Sequence, residues 1–231
     1  ELDKVLVNQE KGNDPIASSA NNFYSGLTKA EVDTFYSAIA KEYGDSDKPE
    51  IGLNGQLVKV GWITERLWKS GGMYGAAIDK MIFWLEKALT VAENEAQKNA
   101  LSNLINYYKS GNVEDWDKYN ISWIQDTASV IDFASGFIEV YGDAIGRKGS
   151  FESVLSMKDF EASKRINAIS AEAQWFEDNS PILPEHKKEK VKGIIAKVIT
   201  VVVESGDAAP STPIGINLPN NNWVREKHGS K

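Results

Sequence analysis

The stretch IDFASGFIEVYGDAIGRKGSFESVLSM, residues 131–157, decides the fold class of this chain. Its outer parts, Ile131–Tyr141 and Gly149–Met157, are short and partly alternate between apolar and polar residues, which is typical of β-strands. The part between them, Gly142–Gly149, is rich in Gly and Asp and therefore favours a turn. We predict two neighbouring strands here, in a chain that otherwise shows mainly helical patterns.

Helical patterns lie on both sides of these strands. Thr28-Lys-Ala-Glu31 is a capping box that predicts a helix start, and this helix should end near Tyr43-Gly44. The apolar spacing of Gly71–Gly111 predicts two long helices, with the last glycine as a C-terminal cap. Asn112–Asp126 and Phe160–Asp178 are also predicted to be helical.

Further stretches predict additional strands. Asn54-Gly55 lies between short apolar runs and is a hairpin signal, whereas Ile63–Ser70 is ambiguous. Val191–Val203 is rich in β-branched residues and should end in a strand, and Ile214–Leu218 should be a short strand before Pro219. We therefore predict an α+β fold that is predominantly helical, with a small mixed β-sheet or partial barrel.

The composition narrows the classes of function. The 231 residues are 42% hydrophobic and 10% aromatic, which suits a globular core. The net charge is −7 and the 26 basic residues form no stripe, so we expect no nucleic-acid partner. No apolar run reaches the roughly 18 residues that a membrane span needs, so we expect no membrane partner either. The acidic balance weakly favours basic ligands.

The sequence contains no cysteine, which excludes disulfide bonds and cysteine-ligated zinc. A cysteine-free chain is compatible with every redox environment, so the compartment stays open. We favour the cytoplasm, with a bacterial cell envelope or periplasm as the alternative.

The common catalytic motifs do not occur in the sequence. The two histidines, His186 and His228, are far apart, and neither has a second histidine four residues away. We expect both at the surface and no catalytic zinc in this chain alone, because such a site needs about three protein ligands. A Gly-x-Ser-x-Gly nucleophile motif and a Gly-x-x-x-x-Gly-Lys-Ser/Thr phosphate loop are also missing.

Candidate ligand-binding groups lie in the two predicted strands. Glu139 and Glu152 each lie between apolar neighbours. In a strand, Glu139 and Tyr141 point to the same face, because side chains alternate with a period of two. That face would offer an acceptor for the terminal ammonium of a peptide and a phenol for a carbonyl group. The alternative is an ordinary solvated strand face.

The segment Ile214–Asn220 (IGINLPN) has the properties of a peptide-binding edge strand. Proline cannot donate to a strand ladder, so a strand that stops at Pro219 is usually an edge. An exposed edge can pair with an incoming peptide, and Gly215 leaves room for its close approach. Asn217 and Asn220 add amides that can bind a peptide terminus or backbone. The alternative is an edge strand with a turn and no ligand.

Several segments together carry a family resemblance. They are Ser122–Asp126 (SWIQD), Gly136–Asp143 (GFIEVYGD), Gly149–Val154 (GSFESV) and Ser211–Trp223 (STPIGINLPNNNW). In order and spacing they resemble the peptide-binding half of the dipeptidyl peptidase III family, whose members are zinc exopeptidases. The matching residues are Trp123, Ile124, Gln125, Asp126, Gly136, Phe137, Ile138, Glu139, Tyr141, Asp143, Gly146, Gly149, Phe151, Glu152, Pro213, Gly215, Ile216, Asn217, Pro219 and Asn220.

The resemblance implies an enzyme larger than this chain. Family members have a lower lobe built on a small β-barrel and a helical upper lobe that holds zinc on His-Glu-x-x-Gly-His and Glu-Glu-x-x-Arg/Lys-Ala-Asp motifs. Neither motif occurs here. The chain would thus be a fragment that ends before the zinc-binding motif and is inactive alone. Its parent would use zinc to remove dipeptides from the N-termini of short peptides, and its partner would be the missing zinc-binding lobe.

The resemblance also implies roles for single residues. Asn217, Asn220 and Glu139 would hold the free amino group of the substrate, and Glu152 would help to line the same subsite. Tyr141 would lie near the scissile carbonyl and help to stabilise the oxyanion. The other substrate-binding residues would be the groove-wall residue Trp123 and the peptide-bearing residues Pro213, Ile214, Gly215 and Ile216.

On this basis we divide the chain into three parts. Residues 1–157 would form a mainly helical region that leads into the small sheet. Residues 158–190 would form a helix that extends towards the missing zinc lobe, and residues 191–231 would form closing strands with the peptide-binding edge strand. Without its partner lobe, the helix should leave an apolar patch partly exposed that includes Ile166, Ile169, Trp175 and Phe176.

Two other classes of function stay open. The chain could be a non-catalytic peptide-binding module that keeps the edge strand and the asparagines. It could also be a purely structural or interaction domain, which would have no affinity for a peptide with a free amino terminus.

Overall fold

The computed structural model describes residues 4–20, 22–44, 47–191, 197–209 and 211–231. These residues form an α+β fold, as predicted. The α-helices are α1 Pro15–Ser18, α2 Lys29–Glu42, α3 Gly75–Leu89, α4 Glu95–Ser110, α5 Val113–Gln125, α6 Phe160–Ala171, α7 Ala173–Asn179 and α8 Asn222–His228, and a 3-10 turn spans Pro184–His186. The strands are β1 Tyr24–Ser25, β2 Gly55–Val60, β3 Trp62–Leu67, β4 Ile131–Glu139, β5 Ser150–Lys158 and β6 Ile199–Gly206. None of the described helices is both long and apolar enough to cross a membrane.

The strands form two separate three-stranded sheets. In the first sheet, β1 is parallel to β2 and β2 is antiparallel to β3, so this sheet is mixed. In the second sheet, β4, β5 and β6 are antiparallel neighbours. The small mixed sheet is therefore present as predicted, but the described strands do not close into a barrel.

Predicted helix boundaries are confirmed where a capping group fixes them. The Thr28 hydroxyl and the Glu31 carboxylate form the capping box at the start of α2. The Asn112 side chain accepts a hydrogen bond of 2.9 Å from the backbone N–H of Glu114 at the start of α5. Gly111 ends α4 with a φ of 71°, a conformation that glycine adopts more readily than other residues.

The predicted hairpin at Asn54-Gly55 is wrong. The hairpin instead joins β2 to β3 at Gly61, where φ is 78°. Asn54 lies before β2 with its side chain buried, and its amide donates a hydrogen bond of 2.9 Å to the carbonyl oxygen of Gly111. This asparagine therefore makes a tertiary contact rather than a turn, and the ambiguous stretch beginning at Ile63 lies mostly in β3.

The predicted strand at Ile214–Leu218 is also wrong. Among the described residues, the backbone of this segment forms hydrogen bonds only at Leu218, which exchanges two bonds of 3.0 Å with Lys231. Pro213 and Pro219 flank the segment and lack the N–H group that a ladder requires. Residues 213–217, which we call the 213–217 segment, therefore keep their backbone groups open.

Three other predicted elements differ at their ends. Strand β4 stops at Glu139 rather than at Tyr141. The predicted long helix over Phe160–Asp178 is divided at Glu172 into α6 and α7. The strand predicted at the end of Val191–Val203 is β6, and residues 192–196 lie outside the described part of the chain.

The main hydrophobic core packs α4 and α5 against β4. Trp116 and Tyr119 of α5 lie with ring centroids 5.2 Å apart, and Phe137 of β4 belongs to the same core. Gly136 allows the Trp116 ring to lie directly on the strand, since a Cβ at this glycine would be 2.4 Å from the ring. This packing fixes α5 against the strand that carries Glu139.

A buried polar network ties the loop between β4 and β5 to the first sheet. Lys148 Nζ is fully buried, lies 2.7 Å from Glu65 Oε1 and contacts the Tyr36 hydroxyl. Asp143 accepts a hydrogen bond of 2.7 Å from the Tyr24 hydroxyl and two of 2.9 Å from backbone N–H groups of the loop. The loop that follows the end of β4 is therefore fixed by charged groups, in addition to apolar packing.

The apolar surface predicted on the helices after β5 is confirmed. Ile169 of α6 and Trp175 and Phe176 of α7 are 53%, 57% and 51% exposed, and Ile166 is half-buried. Large apolar side chains grouped on one surface are typical of an interaction site.

Candidate functional site

An acidic pocket lies between the second sheet and the 213–217 segment. It is a cavity of about 230 Å³. Its charged walls are Glu139 at the end of β4, Glu152 on β5 and Asp207 directly after β6, with Tyr141 close by. None of the described lining residues carries a positive charge. This pocket, called the acidic pocket below, therefore favours cationic groups.

A β-bulge turns Glu139 towards this pocket. In the ladder between β4 and β5, Gly136 pairs with Glu152, whereas Glu139 pairs with Ser150. Ile138 is the extra residue on β4, so the alternation of side chains shifts by one position. The bulge thus places both carboxylates on the same face of the sheet, where regular alternation would have separated them.

The pairing of β5 with β6 brings in the third carboxylate. Glu152 pairs with Gly206, and the next residue, Asp207, donates its backbone N–H to the carbonyl oxygen of Phe151 at 3.0 Å. Gly206 has a φ of 68°, and a Cβ there would lie 2.0 Å from the same carbonyl oxygen. A glycine is therefore required at the turn that holds Asp207 beside the pocket.

Burial, together with the crowding of negative charge, raises the pKa values of two groups in the pocket. Burial, followed by repulsion from Glu139 and Asp207, raises the pKa of Glu152 to about 7. Burial and the same carboxylates together with Glu152 raise the pKa of the Tyr141 phenol. Glu152 is therefore partly protonated at neutral pH, and a cation in the pocket would favour its ionised form.

Asparagine side chains complete the pocket. Asn220 Nδ2 donates a hydrogen bond of 3.2 Å to Glu139 Oε1. Asn217 is exposed and lines the pocket together with Gly215. These amides can both donate and accept, which suits them to the polar end of a peptide.

A second, larger cavity lies along the same segment. It has a volume of about 1050 Å³ and shares Pro213, Gly215, Ile216 and Asn217 with the acidic pocket. Trp123 lies in its wall and donates from Nε1 to Asp132 Oδ1 at 2.9 Å. Four basic residues line it, against two acidic ones: Lys188, Lys197, Arg225 and Lys231, with Asp132 and Glu226. The segment thus borders cavities of opposite charge.

The structure places seven of the ten predicted site residues around the acidic pocket: Glu139, Tyr141, Glu152, Pro213, Gly215, Ile216 and Asn217. Asn220 joins them through its hydrogen bond to Glu139, whereas Ile214 and Trp123 line only the larger cavity. Tyr141 lies beyond the end of β4 and is 65% exposed, so it stands at the edge of the pocket rather than on a strand.

The predicted site residues did not include six residues that line the acidic pocket, namely Ala134, Val154, Asp207, Ala208, Ser211 and Leu218. Asp207 follows a glycine in a stretch that is typical of a surface turn. No local pattern pairs this turn with Glu152, because the pairing depends on a ladder between strands that are distant in sequence.

Fold and pocket together describe an α+β protein with an acidic pocket beside an open extended segment. More particularly, the family model described as Peptidase family M49 matches residues 17–231. The chain belongs to this family.

Two of the similar curated proteins are named dipeptidyl peptidase 3. Dipeptidyl peptidase 3 of Rattus norvegicus is 29% identical over 160 residues, which cover 69% of this chain and 21% of that protein. Dipeptidyl peptidase 3 of Dictyostelium discoideum is 30% identical over 160 residues, which cover 69% of this chain and 23% of that protein. The matched region is thus less than a quarter of the length of either relative.

Solved structures show the same fold. DPP III from Caldithrix abyssi matches 97% of this chain and 43% of its own, with a TM-score of 0.74 and 21% identity. Dipeptidyl-peptidase III from Corallococcus sp. strain EGB matches 96% of this chain and 40% of its own, with a TM-score of 0.71 and 23% identity.

The described residues do not fit the zinc that the resemblance implies. Among the described residues, no group of three or more His, Cys, Asp and Glu side chains is arranged to hold a metal ion. His186 in the 3-10 turn and His228 in α8 are exposed and belong to different elements.

Proposed function

We propose that this chain is the substrate-binding part of a zinc dipeptidyl-peptidase that removes dipeptides from the N-termini of short peptides. The observation that carries the proposal is the acidic pocket beside the 213–217 segment. Its three carboxylates favour an ammonium group, and the open N–H and C=O groups of the segment favour an extended peptide. Membership of family M49 and the similarity to the two dipeptidyl peptidase 3 proteins support the same function.

The peptide would lie along the 213–217 segment with its ammonium group in the acidic pocket. Glu139 would pair with the ammonium, and Asn217 and Asn220 would hold it from the sides. Glu152 would line the same subsite. This arrangement explains a preference for free N-termini in terms of charge.

Tyr141 would act further along the peptide. Its raised pKa keeps the phenol protonated at neutral pH, so it can donate a hydrogen bond to a carbonyl oxygen. Its exposed position at the edge of the pocket suits contact with the scissile carbonyl, where such a donor stabilises developing negative charge.

Zinc would belong to another part of the parent protein, where it would activate water. We keep the three-part division into residues 1–157, 158–190 and 191–231 as part of this proposal. The exposed apolar surface on α6 and α7 would contact the zinc-binding lobe. We expect no peptide hydrolysis by this chain alone, with or without added zinc, in a chromatographic assay of peptide products.

Isothermal titration of this chain with a short peptide tests the proposal. The same peptide with an acetylated N-terminus should bind at least about tenfold more weakly, because it lacks the charge that the pocket recognises. Glu139→Gln and Asn217→Ala should weaken binding of the free peptide, whereas Asn99→Ala on the exposed side of α4 should not. Equal binding of the free and the acetylated peptide would exclude the proposed orientation.

A further inference from the structure

Two consecutive asparagines connect the acidic pocket to a second carboxyl group inside the protein. Asn220 Nδ2 donates to Glu139 Oε1 at 3.2 Å, and Asn221 Nδ2 donates to Asp117 Oδ1 at 3.0 Å. Asn221 also accepts a hydrogen bond of 3.2 Å from the backbone N–H of Trp223, which fixes it at the start of α8. The position of Glu139 is therefore coupled through two adjacent residues to that of Asp117.

Glu50 is a further carboxyl group in the same region. Trp116 Nε1 donates to Glu50 Oε2 at 3.3 Å, and Trp116 precedes Asp117 on α5. The Trp116 ring lies on Gly136 of β4, three residues before Glu139. Glu50 and Asp117, called the buried carboxyl pair below, lie close enough to each other, and Glu50 close enough to Glu139, for their charges to interact.

The surroundings of the buried carboxyl pair contain no described compensating cation. Asp117 is 5% exposed and Glu50 is half-buried, and neither forms an ion pair with a described Lys or Arg. The titratable groups that face the pair are themselves acids: Glu139 from β4, Glu114 from α5, Tyr107 from α4 and Tyr43 at the end of α2.

Burial and repulsion between these acids raise both pKa values. The pKa of Glu50 is raised to about 7, mainly by burial and further by Glu139. The pKa of Asp117 is also raised to about 7, mainly by burial and further by Glu50. At neutral pH the pair therefore carries a proton that a nearby positive charge can displace.

We propose that Glu50 and Asp117 are positioning residues of the acidic pocket, which release a proton to solvent when a cationic peptide terminus binds at Glu139. The ammonium supplies the positive charge that the pair lacks, so the ionised form of the pair becomes favoured as binding occurs. The pair then adds negative charge behind Glu139, and affinity for the terminus rises with pH. This inference rests on the proposed function.

Calorimetric titration in two buffers with different ionisation enthalpies measures the protons released for each bound peptide. At pH 7 the α-amino group is still mostly charged, because its pKa is about 7.7–8.0. We expect release of roughly half to one proton, and an affinity that rises about three- to tenfold from pH 6 to pH 7. Glu50→Gln and Asp117→Asn should each at least halve the release and flatten the pH profile.

Control variants distinguish proton release by the buried carboxyl pair from proton release by other carboxyl groups. Glu95→Gln removes an exposed carboxylate at the start of α4 and should keep the full release. Glu152 also titrates near neutral pH, so the measurements are repeated with Glu152→Gln, where release attributable to the pair should persist. Asp117→Asn can still accept the hydrogen bond from Asn221, and Glu50→Gln provides a second test if the first variant does not fold.

The outcomes distinguish the inference from the function on which it rests. If the wild-type chain bound no peptide with a free amino terminus, the proposed function would fail and the inference with it. If the chain bound the peptide but Glu50→Gln and Asp117→Asn released as many protons as wild type, only the inference would be overturned.

Discussion

At the scale of single residues, two glycines near the site differ in how much free space surrounds them. A Cβ at Gly215 would meet no atom within 4 Å, whereas a Cβ at Gly136 would lie 2.4 Å from the Trp116 ring. We expect Gly215→Ala to keep the melting temperature but to weaken peptide binding, because the methyl group would separate the 213–217 segment from the backbone of a bound peptide.

Gly136→Ala should lower the free energy of unfolding by about 1–3 kcal/mol, because its methyl group would collide with the Trp116 ring. Thermal melts and calorimetry measure both, and unchanged binding by folded Gly215→Ala would place the peptide elsewhere.

The residues of the site differ in how far sequence could predict them. Glu139, Glu152 and Asn217 lie in short segments whose own pattern or resemblance marks them, and the structure places all three around one pocket. Asp207 and the buried carboxyl pair carry no such mark. Their importance comes from burial and from neighbours that are distant in sequence, which a local pattern does not contain.

At the scale of elements, the loop between β4 and β5 depends on one buried cation. Lys148 is fully buried against Glu65 and Tyr36. Lys148→Met should lower the free energy of unfolding by about 3–5 kcal/mol, because it leaves the Glu65 carboxylate without its cation. Lys109→Met removes an exposed ion pair with Glu86 and should cost less than about 1 kcal/mol. Urea unfolding followed by tryptophan fluorescence measures both, and equal losses would contradict a special role for Lys148.

Elements were predictable where local chemistry decides them. The capping box at Thr28 and the glycine at 111 mark helix ends through their own hydrogen bonds and backbone angles, and the structure confirms both. Where the local pattern did not predict the structure, tertiary contacts determine it. Asn54 bonds to Gly111 instead of forming a turn, and Ile138 becomes a bulge that reorients Glu139 because of how β4 meets β5.

At the scale of the whole molecule, apolar side chains are distributed unevenly between the core and the surface. The interior around α4, α5 and β4 is closely packed, whereas α6 and α7 expose Trp175 and Phe176. The match to the two curated relatives covers less than a quarter of their length. Those proteins therefore contain further sequence, in which the proposed zinc-binding lobe would lie. The family resemblance predicts this exposed surface, because it implies a helix after β5 that extends towards a zinc-binding lobe.

The whole molecule should also be most stable at mildly acidic pH. Between about pH 4 and pH 7, the folded state binds more protons than the unfolded state, because burial raises the pKa values of Glu50, Asp117 and Glu152 to about 7. The free energy of unfolding should therefore fall as pH rises through this interval and level off above it. Below about pH 4 the trend reverses, because hydrogen bonds hold the pKa of Glu31 at about 2 and lower that of Asp14.

Asp117→Asn isolates the largest buried contribution to this profile. The variant keeps the hydrogen bond acceptor for Asn221 but no longer has to ionise inside the protein, so it should be more stable than wild type at pH 8. The expected gain is on the order of 3 kcal/mol, since one pKa unit corresponds to about 1.4 kcal/mol. Urea unfolding at pH 5 and pH 8 tests this, with Glu95→Gln as the exposed control. If the free energy of unfolding of the wild type rose from pH 5 to pH 8, Asp117 would ionise in the folded protein without cost. The buried carboxyl pair would then hold no proton that peptide binding could release.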